Sequence, residues 1–200
     1  MATTDKHLDS ICVFCGSSDT ADPAFLAAAR ELGAALAKAN LRLVYGGGGV
    51  GLMGACARGA HEAEGRVLGI IPDFLVGREQ AFETVEHVIV GNMHERKMMM
   101  FEHSDGFVIL PGGIGTLEEV VELLSWRRLD LHAKPVVFYN PRDFWRPLFD
   151  TFQMTVDEHL TPPEFMDSWR AVERIEDVVP ALAALAATAR PIDKRVARKA

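Results

Sequence analysis

Two stretches near the middle of this 200-residue chain combine residue types that can do chemistry. PGGIGTLEE (111–119) sets three glycines beside a threonine and two carboxylates, and NMHERKMMM (92–100) sets Arg96 next to Lys97. Glycines let backbone N–H groups close on a phosphate, and a helix N-terminus adds partial positive charge that favours the anion. Glu119 has two readings. Thr116 and Glu119 stand three apart before an apolar run, which matches a capping box at a helix start. The same carboxylate, one turn from the glycines, would face the sugar of a ligand whose phosphate sits in the loop. A carboxylate beside an anomeric carbon can stabilise an oxocarbenium-like charge or activate water. Asn92 and Glu95 form a second candidate capping box, which puts Arg96 and Lys97 in the first helical turn. Cations there oppose the helix dipole, so an anionic ligand or a carboxylate partner explains them. Arg96 offers a planar fork and Lys97 a point charge. Met98, Met99 and Met100 read as core filling.

Two further loops compete for the phosphate role. GGGGVGLMG (46–54) contains G-x-G-x-x-G twice, at Gly46, Gly48 and Gly51 and at Gly49, Gly51 and Gly54. It reads either as an anion cradle or as tight strand-to-helix packing. Asp73, 24 residues after Gly49, lies where a ribose-binding acid of a dinucleotide site would be. Against that reading, the loop follows the second strand-like run rather than the first. The absence of G-K-[ST] excludes a Walker-type nucleotide motor. CGSSD offers Gly16, Ser17 and Ser18 to a ligand, or forms an ordinary turn.

The elements that must position these loops are legible as alternation. Apolar, β-branched runs at 11–15, 41–45, 67–71, 85–90, 106–110 and 134–139 are separated by helical patterns, the first of them following Asp22 as cap with Pro23 in its first turn and stopping near Asn40. SWRAVERI adds a short last strand, and VVPALAALAATA suits a final helix provided Pro180 falls in its first turn. In the helix after PGGIGT, the three-four rule draws one stripe through Leu117, Val120, Val121 and Leu124, leaving Glu118, Glu119 and Glu122 off it. Strands apolar throughout imply a mostly parallel sheet covered on both faces. The expectation is an α/β fold: a single Rossmann-like three-layer domain of about seven strands over residues 10–189, after an extension at 1–9 and before a basic tail at 190–200. Ligands of such sheets sit beyond the carboxyl ends of the strands, so the loops after 15, 45, 71, 90 and 110 are the ones to inspect.

Bulk properties narrow the function. The net charge is −7 although residues 190–200 hold five Lys or Arg against one Asp, so the body is acidic, which argues against nucleic-acid binding. The tail reads as a solvated terminus. Cys12, Cys15 and Cys56 are too few for a disulfide framework. Cys12 and Cys15 spell C-x-x-C, but three-apart positions of a strand point to opposite faces, so they read as packing thiols. MATTDKHLDS lacks a signal-peptide pattern, which suggests the cytoplasm, and no stretch approaches the roughly 18 apolar residues of a membrane span. The seven histidines are scattered, so no metal or other cofactor is expected.

Together these motifs resemble the LOG ("lonely guy") family of cytokinin riboside 5′-monophosphate phosphoribohydrolases, often labelled lysine decarboxylase-like. Its signature P-G-G-x-G-T-x-x-E with an upstream Arg-Lys is matched by residues 111–119 and by Arg96 and Lys97, and CGSS (15–18) and GGGGVGLMG are similar too. The resemblance implies a nucleotide-binding α/β fold, a homodimer with sites near the interface, and hydrolysis of a nucleoside 5′-monophosphate to free base and ribose 5-phosphate. It implies Arg96 and Glu119 as the catalytic pair. Lys97 and the loop of Gly112, Gly113, Ile114, Gly115 and Thr116 would bind substrate with Gly16, Ser17, Gly47 and Gly48, and Glu79 and Ser125 would add contacts. The family often has Thr at the position of Ser125, and Gln-Leu-Gly where Arg128, Leu129 and Asp130 stand. Two other classes are a non-catalytic nucleotide-binding or carrier protein, and a pyridoxal-phosphate decarboxylase, for which no lysine is singled out.

Overall fold

The computed structural model describes residues 8–82 and 84–189; the extension up to residue 7 and the basic tail at 190–200 lie outside them. One sheet runs through the molecule in the order β4-β3-β2-β1-β5-β6-β7, and every pairing is parallel. Its strands are β1 (Ser10–Phe14), β2 (Arg42–Tyr45), β3 (Val67–Pro72), β4 (Glu86–Val90), β5 (Gly106–Ile109), β6 (Val136–Tyr139) and β7 (Arg170–Val172). The crossovers carry α1 (Pro23–Lys38), α2 (Gly51–Glu62), α3 (Met93–Glu102), α4 (Ile114–Arg128), α5 (Arg146–Asp157) and, at the end, α6 (Val178–Thr188). This is the expected three-layer α/β architecture. No helix among the described residues is long and apolar enough to cross a membrane.

The central strands are apolar on both sides because helices cover both. Ile11, Val13 and Cys15 pack with Leu32, Leu36 and Cys56 of α1 and α2, whereas Cys12 and Phe14 pack with Met100, Val120 and Leu124 of α3 and α4. Cys12 and Cys15 therefore belong to different cores, and all three cysteines are buried and free. Local signals fix the helix ends. Asp22 accepts from the Ala24 N–H at 2.8 Å ahead of Pro23, and Pro180 is the third residue of α6, within its first turn. On α4 the expected stripe is rotated: Val121 is 45% exposed, and the buried residues are Thr116, Val120, Leu123 and Leu124. Leu123 belongs to the core face, since Thr116, Val120, Leu123 and Leu124 follow the spacing i, i+4, i+7, i+8 of one helix face.

The far end of α4 is anchored by a buried histidine. His132 Nδ1 accepts from the Lys134 N–H at 3.2 Å, which leaves Nε2 to donate to the Leu123 carbonyl at 2.9 Å. Burial pushes its pKa down to about 4, so the ring is neutral in the folded chain.

Candidate functional site

β1 is the switch point of the sheet, with β2 on one side and β5 on the other. The loops leaving these three strands are joined through Gly16, whose N–H donates to the Pro111 carbonyl at 3.1 Å and whose carbonyl accepts from Leu52 at 3.0 Å.

The two glycine loops then differ in what their amides do. In the 46–54 loop, the Gly49 N–H donates to the Glu79 carbonyl at 2.8 Å and the Gly51 N–H to Asp19 Oδ1 at 3.1 Å. With Leu52 held by Gly16, the start of α2 is closed by the protein's own acceptors, as the packing reading of this loop requires. Gly47 has a φ of +80° and its carbonyl lies 3.2 Å from His87 Nε2. Gly47 and Gly48 are buried, and a Cβ on Gly48 would sit 3.2 Å from Glu79 Oε2. Asp73, the dinucleotide candidate, is exposed.

The start of α4 is open by contrast. Gly113 precedes the helix in extended backbone, with no side-chain cap, and the first turn contains no acidic residue. The first amides of a helix have no partner within it, and a Cβ added at Gly113 or Gly115 would meet nothing within 4 Å. Thr116 is the third residue of the helix and buried, and Glu119 is the sixth, so these two do not form a capping box. The T-x-x-E spacing is present, but Gly113 starts the helix before the threonine can cap it.

Asn92 and Glu95 do form the expected box. Asn92 Oδ1 accepts from the Glu95 N–H at 2.9 Å, and Glu95 Oε2 accepts from the Gly91 N–H at 2.8 Å. This fixes α3 so that Arg96 points inward, 4% exposed. Its Nη2 donates to the Gly46 carbonyl at 2.8 Å and lies 3.5 Å from Glu79 Oε2, while its Nε and that carboxylate oxygen are buried without a hydrogen-bond partner. A Cβ at residue 46 would fall 2.0 Å from Arg96 Nη2, so glycine is what admits the guanidinium.

Glu119, on α4, is electrostatically coupled to this group. Burial raises its carboxyl to about 7; Arg96 opposes the rise, Glu118 and Glu79 add to it, and Lys97 opposes it. Burial likewise raises Glu79 against the pull of Arg96. Near neutral pH the site thus pairs a permanent cation with a carboxyl group present in both protonation states.

Other expected residues fall differently. The Lys97 ammonium is held by Glu118 at 2.5 Å and Glu122 at 2.9 Å. Ser17 and Ile114 are exposed at the rim, Ile114 at 84%. Ser125 lies six residues beyond Glu119, about 9 Å along the helix axis; it is exposed, and its hydroxyl donates to the Val121 carbonyl at 2.7 Å. It does not join the cluster within this chain. Asp19, Glu118, Glu122 and the Gly46 carbonyl, all structurally engaged here, were not singled out as site residues. For the two glutamates a signal existed, since cations early in a helix call for a carboxylate partner.

Comparisons with known proteins agree with this geometry. A family model described as "Possible lysine decarboxylase" matches residues 53–182. The chain is 43% identical over 178 residues to a "Probable cytokinin riboside 5′-monophosphate phosphoribohydrolase" of Oryza sativa subsp. japonica, covering 85% of this chain and 78% of that one. It is 43% identical over 164 residues to a cytokinin riboside 5′-monophosphate phosphoribohydrolase of Arabidopsis thaliana, covering 82% and 72%. Among solved structures, the Moco carrier protein of Chlamydomonas reinhardtii superposes with a TM-score of 0.68 over 91% of this chain and 99% of its own, at 23% identity, a likeness of fold alone. Identity of this extent across most of both sequences, with the P-G-G-x-G-T-x-x-E loop and its Arg-Lys partner in place, shows that the chain belongs to the LOG family.

Proposed function

We propose that this chain hydrolyses the N-glycosidic bond of adenosine 5′-monophosphate or its N6-modified forms, releasing free base and ribose 5-phosphate. The observation that carries this reading is the electrostatic coupling of buried Arg96, on α3, to Glu119, on α4, with the open first turn of α4 on the same helix as Glu119. The phosphate rests on the amides of Gly113, Ile114, Gly115 and Thr116, where the dipole of α4 favours it. Gly16, Ser17, Gly47 and Gly48 line the approach from β1 and β2, and Glu79 takes a sugar hydroxyl. Binding at the phosphate, remote from the bond that breaks, holds C1′ against Glu119. As the C1′–N bond breaks, positive charge grows on the sugar and ionised Glu119 stabilises it; the water oxygen bonds C1′, Glu119 takes the water proton, and the departing base nitrogen is protonated from solvent. Arg96 orients Glu119 and the ribose phosphate.

The test is direct. The protein is incubated with AMP and with N6-isopentenyladenosine monophosphate, and free base is measured by chromatography. Release of base supports the reading, and no release from any purine monophosphate overturns it; tight AMP binding without turnover would point instead to a carrier.

We also infer a homodimer in a reducing cytoplasm. Ile114, Val121 and Leu129 leave an apolar line exposed along α4, which a second copy would cover, and three free buried thiols suit that compartment. Sedimentation of the purified chain reads the mass: twice 22.0 kDa is expected, and a monomer at micromolar concentration overturns the inference.

A further inference from the structure

Lys97 is already occupied. Its Nζ lies 2.5 Å from Glu118 Oε1 and 2.9 Å from Glu122 Oε2, and its side chain is 14% exposed, against 53% and 29% for the two carboxylates. Burial draws its pKa down, but the hydrogen bonds it donates to Glu118 and Glu122, with their charges, outweigh it and the net shift is upward, so the group is fixed as a cation. One ammonium between two carboxylates leaves a trio with net negative charge, which repels a phosphate dianion.

The placement of the trio matters more than its charge. Glu118 and Glu122 are four apart and share a face of α4. Glu119 directly follows Glu118, just as Lys97 directly follows Arg96 on α3. The bridge therefore fastens α3 to α4 at the residues adjoining Arg96 and Glu119. Fully exposed ion pairs contribute little to stability, but Lys97 and Glu122 are largely covered, and a bridge with two legs resists both sliding and rotation of one helix on the other.

We propose that Lys97, Glu118 and Glu122 are positioning residues, which act through α3 and α4 to hold Arg96 and Glu119 in working register, and that Lys97 does not touch the substrate. The proposal rests on the phosphoribohydrolase reading. The charged and titratable groups facing Glu119 are Arg96 and Lys97 from α3, Glu118 on its own helix, Glu79 from the segment after β3, and the buried thiols of Cys12 and Cys15 from β1. Removing Lys97 takes away a cation and leaves Glu118 uncompensated, and both changes favour protonated Glu119.

Kinetics of K97M, K97R and the double variant E118Q/E122Q test this, with ribose 5-phosphate affinity measured by calorimetry. K97M and E118Q/E122Q are expected to lower kcat about 10- to 100-fold, the scale of a small misplacement of reacting groups. KM and ribose 5-phosphate affinity should stay within about twofold. In K97M the rising limb of the pH–rate profile should also move to higher pH. K97R, which keeps the charge, should recover part of kcat, and adding K97M to E118Q/E122Q should cost little more, because the three side chains act as one unit. A raised KM and weakened ribose 5-phosphate binding in K97M, with E118Q/E122Q unchanged, would overturn the proposal and make Lys97 a phosphate ligand. If K97M fails to fold, E118Q/E122Q carries the test, since glutamine matches glutamate in size and both charges can be removed without leaving a cavity. Failure of the wild-type chain to release base would instead defeat the functional reading, and with it any catalytic role for the bridge.

Discussion

Arg96 Nη2 donates to the Gly46 carbonyl at 2.8 Å, and Glu79 Oε2 stands 3.5 Å from the same nitrogen with no hydrogen bond of its own. A buried charged oxygen without a partner is unfavourable, and a sugar hydroxyl is a donor that would satisfy it. Glu79→Gln is therefore expected to reduce the thermal stabilisation that saturating AMP gives the protein. An unchanged shift would remove Glu79 from the binding surface.

Glu119→Gln keeps the shape of the side chain and removes its charge. Turnover should fall by about 10²- to 10⁴-fold, the usual weight of a positioned acid–base group, while AMP affinity by calorimetry stays within a few-fold. Because Glu119 does not cap α4, the melting temperature should not drop. A variant that unfolds would return the residue to a structural role.

With Glu119 raised to about 7, kcat/KM of the wild-type chain should climb as pH rises from 6 to 8. Below its pKa the carboxyl is neutral and can neither stabilise the developing charge nor accept the proton from water. A pH-independent rate across that window would exclude Glu119 as the titrating group.

His132 makes stability depend on pH in a defined direction. Its folded pKa is about 4, below the unfolded value near 6.5. The unfolded chain therefore takes up the proton first as pH falls, and stability is lost between about 6.5 and 4, then levels off. The whole effect is on the order of 3 kcal/mol. Glu119 acts with the opposite sign, since its raised pKa favours the folded chain below about 7. Urea unfolding of wild type and His132→Asn at pH 7.5 and pH 5 separates the two. The wild-type chain should lose stability relative to the variant at pH 5, and parallel behaviour would show that the ring is not held neutral.

Gly115 lies in the first turn of α4, and a Cβ there would have nothing within 4 Å of it. Alanine at this position should match or exceed wild-type stability, by about 0.5–1 kcal/mol at most, and should weaken AMP binding because the methyl group enters the space over the amides. Unchanged affinity would place the phosphate elsewhere.

What was legible in the sequence was what neighbouring residues decide. The parallel strands, the Asp22 cap, the Asn92–Glu95 box and the first-turn proline of α6 all follow from patterns within a few residues. The T-x-x-E spacing fits a capping box locally, but Gly113, with its extended backbone, begins the helix first; which face of α4 is buried, with Leu123 inward and Val121 outward, is set by the sheet it packs on. The remaining differences are non-local. Nothing near the 46–54 glycines announces that Asp19, 32 residues earlier, takes the Gly51 amide, and Lys97 meets Glu118 only because two crossovers bring α3 and α4 together. The Arg-Lys pair is informative from sequence alone because its cations oppose a helix dipole; the fold supplies carboxylates to both, Glu79 beside Arg96 and Glu118 with Glu122 around Lys97.

The all-parallel order has a kinetic consequence. No two neighbouring strands can form a hairpin, and the central pairing of β1 with β5 is tied at its base by Asp105 accepting from the Asp9 N–H, 96 residues away. Such long closures make folding slow. Glu119, carried on the helix that follows β5, cannot approach Arg96 until that closure is made, so on refolding from urea enzymatic competence should return last, after helical content has already recovered.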